Sequence, residues 1–181
     1  MPDAIIVGDG PAGLSAALFL AKKGKDVHVF GTDQTPMHKA LVLNYLGIPK
    51  ITGSDFQQVA RQQVQDMGAT LHSANVRQTA RNGDAFTATT EDGQTFEAKY
   101  IIFAAGVGAA MAEGVGLKLD DRKMIDADRN GCTAVENAYA VGWSTRPDKI
   151  QAIISAGDGA AAALDILSKE AGKEIHDFDV V

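Results

Sequence analysis

A three-layer α/β domain, with a parallel central sheet and an antiparallel hairpin insert, is the fold class this 181-residue sequence predicts. Three observations carry the prediction. Ala4–Val7 is a short, continuously apolar run, the pattern of a strand buried on both faces. It leads straight into a glycine turn and then into apolar residues at helical spacing. Further on, alternating segments are separated by Asn82-Gly83-Asp84 and Glu91-Asp92-Gly93, the turn chemistry of antiparallel hairpins.

The elements follow in order. After Ala4–Val7, the residues Leu14, Ala17, Leu18 and Ala21 recur on one helical face, and Gly24 serves as C-cap. Val27–Phe30 is a second strand, completing one βαβ unit within 30 residues. From Gly31 to Gly53 the pattern is irregular, punctuated by Pro36, Asn44, Gly47 and Pro49. Ser54 reads as an N-cap. Asp55–Met67 reads as an amphipathic helix with Phe56, Val59, Ala60, Val64 and Met67 on one side, ended by Gly68. Ala69–His72 is a third parallel strand. Val76–Ala80, Ala85–Thr90 and Thr95–Ala98 form the hairpins, and Tyr100–Ala104 is again a buried run. Residues 107–122 are small and weakly patterned, a short bridge. Lys123–Ile125 and Ala138–Val141 read as short strands, and Gln151–Lys169 as an Ala-dense last helix. The whole is expected to be a single domain, 1–181, with its antiparallel insert at about 76–98.

Composition narrows the function. The chain is 45% hydrophobic and 22% charged, as globular proteins are, and its net charge of -6 argues against gripping nucleic acid. No apolar segment reaches the ~20 residues of a membrane span, and no cationic leader opens the chain, so a cytoplasmic protein is expected. Cys132 is the single cysteine, and the four histidines show no ligand spacing, so neither a thiolate cluster nor a metal site is expected.

Gly8-x-Gly10-x-x-Gly13 follows a strand and opens a helix, the context in which this spacing binds a dinucleotide. The first glycine makes the turn, the second lets backbone approach a pyrophosphate, and the third lets helix pack on strand. The anion then sits on the helix N-terminus, where free N–H groups and the dipole favour it. The domain is thus Rossmann-like, of the FAD/NAD(P)-binding type. The acid that usually binds ribose about 20 residues further on is missing, because Gly31 ends the second strand. Asp33, two residues on, reads either as that contact or as a solvated turn residue.

Ala140-Val141-Gly142-Trp143, followed by Gln151-Ala152 and a helix of small residues, resembles the thioredoxin reductase branch of the FAD-dependent pyridine nucleotide–disulfide oxidoreductases. The likeness covers almost the whole chain: the opening strand, turn and helix, the turn Asn44-Tyr45-Leu46-Gly47, the stretch Ile51-Thr52-Gly53, the hairpin region with Ala104-Ala105-Gly106, and Leu117–Ala140. It implies FAD as cofactor. Taken with the glycine turn, it makes Gly8, Gly10, Pro11, Ala12, Gly13, Asp33, His38, Asn44, Val76, Ala105, Gly106, Gly142, Trp143, Gln151 and Ala152 the candidate cofactor contacts, and no catalytic residue is assigned.

Two features depart from the family pattern. The family's second, NAD(P)H-binding domain and its Cys-x-x-Cys pair are missing after Gly106, which rules out the family's dithiol relay. Trp143 stands where the family has the aspartate that holds the ribityl chain. Losing such a charge-assisted hydrogen bond costs roughly 1.5–3 kcal/mol, or about 10–100-fold in affinity. Trp143 either stacks on the cofactor or packs in a core or dimer interface. His38 reads as a proton donor or flavin contact, or as a surface residue. Cys132 reads as a structural thiol. Phe178 and the terminal valines suggest a tail that docks on the domain or a partner.

The leading expectation is a single-domain FAD oxidoreductase or electron-transfer protein. Its external donor would be free NAD(P)H or a redox protein, and a homodimer is expected, as in related FAD domains. The alternatives are a degenerate module that binds FAD or a nucleotide without turnover, and a plain NAD-binding enzyme. The hairpin insert and the Gln151-Ala152 helix argue against the last.

Overall fold

In the computed structural model of the chain, residues 1–180 are described, Val107 by its backbone alone. The elements run β1 (Ala4–Val7), α1 (Pro11–Lys22), β2 (Val27–Gly31), β3 (Leu41–Val42), β4 (Ile51–Thr52), α2 (Gly53–Asp66), β5 (Thr70–Ser73), β6 (Val76–Asn82), β7 (Ala85–Thr90), β8 (Thr95–Ala98), β9 (Tyr100–Phe103), β10 (Ala138–Ala140) and α3 (Ala152–Ala171). Five strands form the central sheet in the order β10-β9-β1-β2-β5, every neighbour parallel. β6, β7 and β8 form a separate antiparallel sheet, and β3 pairs with β4.

The apolar strands divide their side chains between two cores, because successive residues point to opposite faces. Ala4, Ile6, Val27, Val29, Tyr100 and Ile102 face the helices α1 and α3. Ile5, Val7, Phe30, Ile101 and Phe103 face Phe86, Ala88 and Ala98 of the antiparallel sheet, together with Ala109, Ala112 and Val115. The last three lie on the 3-10 segment Gly106–Val115, which gives the weakly patterned bridge its structure. These two cores are the physical content of three layers.

α1 and α3 cross at close range. A Cβ on Gly159 would fall 2.1 Å from the Ala12 carbonyl oxygen, so only glycine permits this approach. The alanines Ala16, Ala17, Ala162 and Ala163 are buried around it.

The structure revises several expectations. The N-cap of α2 is Thr52, whose hydroxyl accepts the Asp55 N–H, and the helix begins at Gly53 rather than after Ser54. Its buried face holds Gly53, Gln57 and Val64, while Val59 is 61% exposed and Met67 also reaches solvent. Gln57 is buried because its side-chain amide donates to the Asp9 carbonyl. Lys123–Ile125 is no strand: Lys123 turns through φ +64°, and only the isolated bridge Leu119–Ile125 remains. The tail docks through Ile175 and through Asp177, which pairs with Lys22 and Lys23, whereas Phe178 is 83% exposed. No helix among the described residues is long and apolar enough to cross a membrane.

A polar cluster closes the sheet edge at β10. Asp165 accepts hydrogen bonds from Tyr139 (2.7 Å) and Cys132 (3.3 Å) and pairs with Lys169 (2.9 Å). Burial works against its charge, but the bonds from Tyr139, Lys169 and Cys132 outweigh burial and hold the carboxyl below its ordinary range. Burial and then the Asp165 hydrogen bond push the Cys132 thiol up to about 11. A depressed carboxyl stabilises the fold above its unfolded pKa and loses that contribution as pH falls through the folded one. Asp165→Asn is therefore expected to cost about 2 kcal/mol at neutral pH, with the gap to wild type narrowing below about pH 4, as read by thermal melts across pH. A gap that stays constant down to pH 2 contradicts this account.

Candidate functional site

In open parallel sheets, ligands bind beyond the carboxyl ends of the strands. Here four such ends open side by side: Gly8 after β1, Gly31 at the end of β2, Ala104 after β9 and Val141 after β10. Backbone bonds hold them in register, from Gly8 N–H to the Phe30 carbonyl (2.8 Å), from Ala104 N–H to Val7 (2.8 Å) and from Val141 N–H to Phe103 (3.0 Å). Gly8 takes φ +113°, and a Cβ there would meet the Ala104 oxygen at 2.3 Å. The β1–α1 turn and the β9 end thus touch through backbone alone.

A cavity of about 710 Å³ lies over the first three of these ends, with Trp143 beyond the fourth on its wall. That falls within the range of small-molecule and cofactor sites. Its floor is the glycine turn Gly8–Ala12 with Ala104, Ala105 and Gly106. One wall is Phe30, Gly31, Thr32 and the segment Gln34–Met37. The antiparallel sheet adds Asn75, Val76 and Glu91, and the C-terminal part adds Trp143, Ile150, Ala152 and Ser155.

The α1 N-terminus opens into this space. No side chain caps it, and Pro11 occupies its first turn. Its unpaired N–H groups and dipole favour an anion. Above Gly10 the nearest atom to an added Cβ is Thr35 Oγ1, at 3.7 Å, so the approach is open. The N-terminus of α3 is likewise without a side-chain cap, and Ala152 and Ser155 of its first turn lie on the cavity wall.

Nine sequence-derived residues meet at this cavity: Gly8, Gly10, Pro11, Ala12, Val76, Ala105, Gly106, Trp143 and Ala152. Gly13 lies beneath, where a Cβ would strike the Gly8 carbonyl. Gly142 lies behind the wall and donates its N–H to Asp158, which also pairs with Arg146. Trp143 packs its ring against Gly106. Asn44 donates to Gln151 (2.8 Å), tying the loop to the start of α3, though neither lines the cavity.

Asp33 and His38 also stand off the cavity wall. His38 Nε2 bonds the Asp33 carbonyl (2.8 Å), and its Nδ1 bonds Ser54 Oγ (2.9 Å), so both ring nitrogens brace the loop against α2. Sequence reasoning named Gly31 only as the place of a missing acid, and it missed Asp9, Phe30, Thr32, Thr35, Asn75, Glu91 and Ser155. Proximity to the glycine turn pointed to Asp9; the others depend on chain distant in sequence. Among the described lining residues only Asp9 and Glu91 are ionisable, and no described group of three or more His, Cys, Asp or Glu is placed to hold a metal.

Comparison with known proteins bears on the family and the fold. A family profile described as pyridine nucleotide-disulphide oxidoreductase matches residues 47–157, and one described as FAD binding domain matches residues 3–42. Thioredoxin reductase of Helicobacter pylori is 33% identical over 111 residues, covering 59% of this chain and 36% of the relative. The bifunctional thioredoxin reductase/thioredoxin of Mycobacterium leprae is 28% identical over 162 residues, covering 87% and 33%. The chain thus spans about a third of the length of these curated relatives. Among solved structures, the atypical thioredoxin reductase TRi from Desulfovibrio vulgaris Hildenborough superposes with a TM-score of 0.85 at 19% identity, covering 94% of this chain and 99% of that one. Thioredoxin reductase of T. acidophilum superposes with a TM-score of 0.82 at 20% identity, covering 94% and 99%. At these identities the superpositions establish the fold, a parallel central sheet with an antiparallel partner.

Gly10 and Gly8 separate binding from folding. Gly10 has φ -79° and an added Cβ would meet only Thr35 Oγ1, at an ordinary contact distance of 3.7 Å, so Gly10→Val is expected to leave the melting temperature within a few degrees of wild type while weakening FAD binding at least 10-fold. Gly8→Val, driven into the Ala104 backbone, is expected to lose the fold itself. Equal FAD titrations of wild type and Gly10→Val refute the assignment of the pyrophosphate to this turn.

Proposed function

The chain belongs to the pyridine nucleotide-disulphide oxidoreductase family, in its thioredoxin reductase-like branch, and on that footing we propose that it is a single-domain FAD oxidoreductase or electron-transfer protein that takes its electrons from an external donor. The cofactor of the family is FAD, and the residues present fit it. The observation that carries the reading is the uncapped α1 N-terminus opening into a cavity lined by the ends of β1, β2 and β9. Gly10 leaves the room that a backbone–pyrophosphate contact needs.

The chain's own residues divide the work. In this reading the turn Gly8–Gly13 and the amides of α1 hold the pyrophosphate. Asn44, hydrogen-bonded to Gln151, fixes the loop beside the α3 N-terminus. The dipole of α3 then favours negative charge at its end of the cavity. Bound FAD supplies the redox chemistry, and the protein supplies position and electrostatics. No thiol or imidazole lines the wall among the described residues. The reading therefore needs no protein-borne redox group at the site, and Cys132, with its raised pKa, is no activated thiolate.

The donor is proposed to approach between residues 36–47 and the segment 106–120. Leu41, Leu43 and Leu46 are exposed there, Leu46 at 90%, which suits an apolar partner surface or a second copy of the chain. A homodimer belongs to the same proposal. One observation favours the alternative of binding without turnover: Trp143 fills the wall where an aspartate was expected.

Absorbance decides between them. The purified protein is expected to carry, or to take up, a flavin with the visible spectrum of bound FAD that bleaches with NADPH or dithionite. Flavin that dithionite bleaches but no nicotinamide or redox protein reduces supports the non-catalytic module. A colourless protein that fails to take up FAD overturns the flavoprotein reading.

A further inference from the structure

Dinucleotide folds commonly grip the adenosine ribose with an acidic side chain at the end of the second strand. In this chain that position is Gly31, which carries no side chain to supply the grip. The space is not empty. A Cβ built on Gly31 would fall 2.2 Å from Asp9 Cγ and 2.3 Å from Asp9 Oδ1. The Asp9 carboxylate thus occupies the volume into which a side chain at position 31 would project. Asp9 and any larger residue at 31 are mutually exclusive without rearrangement.

Asp9 is held there from three sides. Its carbonyl accepts from Gln57, its Oδ2 accepts the Asp33 N–H (2.8 Å), and the same oxygen pairs with Arg61. Its side chain is only 9% exposed, yet Asp9 lines the cavity together with Gly31 and Thr32. Oδ1 has no hydrogen bond among the described residues. Oδ1 is not among the buried unpaired atoms, so a carboxylate braced through Oδ2 keeps its other oxygen open to the cavity as a free acceptor. A vicinal diol supplies the missing donors. A phosphate in the same place supplies none and meets a negative charge.

We propose that Asp9, the second residue of the glycine turn, has taken over the ribose-binding role from the end of β2 and selects nucleotides with free ribose hydroxyls. The proposal rests on the dinucleotide reading of the cavity and names a different residue for its adenosine end. Gly31 is the complement of this device, since its missing side chain makes room for the carboxylate. Gln57 and Arg61 act as positioning residues from α2, which explains why a glutamine lies at the buried face of that helix.

Binding to the flavin-free protein, measured by calorimetry, tests the proposal with FAD, ADP and 2′-deoxy-ADP. The wild type is expected to bind ADP about 10-fold more tightly than 2′-deoxy-ADP. Asp9→Asn is expected to lose about 10- to 100-fold toward FAD and ADP and to stop discriminating between the two diphosphates. Asp9→Gly/Gly31→Glu, which returns the carboxylate to the strand, is expected to recover both, whereas Gly31→Glu alone clashes and loses them. FAD binding with equal affinity for ADP and 2′-deoxy-ADP overturns the role of Asp9 and leaves the flavoprotein reading standing. ADP discrimination without FAD binding supports Asp9 and overturns the flavoprotein reading. Binding of none of the three overturns both. If a variant fails to fold, the wild-type ratio of the two diphosphates still decides.

Discussion

Three backbone contacts around the first glycine turn organise this molecule. Gly8 lies against the Ala104 carbonyl, Gly13 against the Gly8 carbonyl, and Gly159 against the Ala12 carbonyl, each too close for a Cβ. Through them the first strand, the ninth strand and the helices α1 and α3 meet at one point. The same contacts leave the α1 N-terminus facing the cavity. Packing of main chain on main chain fixes the site, and side chains then only trim its walls. Substitutions at these glycines are therefore folding lesions, while the open Gly10 beside them belongs to binding.

Much of this was legible in the sequence because local rules and the global fold agree. Buried parallel strands read as apolar runs, and hairpins announce themselves by Asn-Gly and Asp-Gly turns. What was not legible depends on distant partners. Helical periodicity assigned Val59 and Met67 to the core, but both reach solvent. Gln57 lies on the buried face with Gly53, Ala60 and Val64 yet breaks its apolar pattern, and its reason is a carbonyl 48 residues away. Thr52 and Ser54 are both competent caps, and sequence alone cannot rank two hydroxyls so close together. Lys123–Ile125 has strand-like composition, yet it has a partner for a single bridge only.

The single cysteine illustrates how environment settles a role that composition leaves open. Cys132 sits in a network with Asp165, Tyr139 and Lys169, where Lys169 also reaches the Tyr139 hydroxyl at 2.6 Å. A lone lysine would lower the thiol pKa, but burial and the adjacent carboxylate dominate and raise it. Burial and Asp165 move the tyrosine in the same direction. Burial and one carboxylate thereby keep two acids protonated, the carboxylate keeps one lysine charged against burial, and the network acts as a polar clasp between β10 and α3. The structural reading of Cys132 rests on this clasp.

The two ends of the cavity lost an expected acid in different ways, and the difference has a consequence. At the β2 end, Asp9 refills the space over Gly31 and presents a free carboxylate oxygen to the cavity. At the β10 end, Trp143 fills the wall. The nearest acid, Asp158, is spent on Arg146 and the Gly142 N–H behind that wall. In the proposed reading, directional polar anchoring therefore concentrates on the adenosine and pyrophosphate half. The ring half rests on apolar surface from Trp143, Met37 and Ile150. Polar contacts lose more than apolar ones when a partner is missing, so a site built this way holds its cofactor by the nucleotide end and leaves the reactive end the more permissive. In the proposed reading, an external donor would therefore meet the more permissive end of the cofactor.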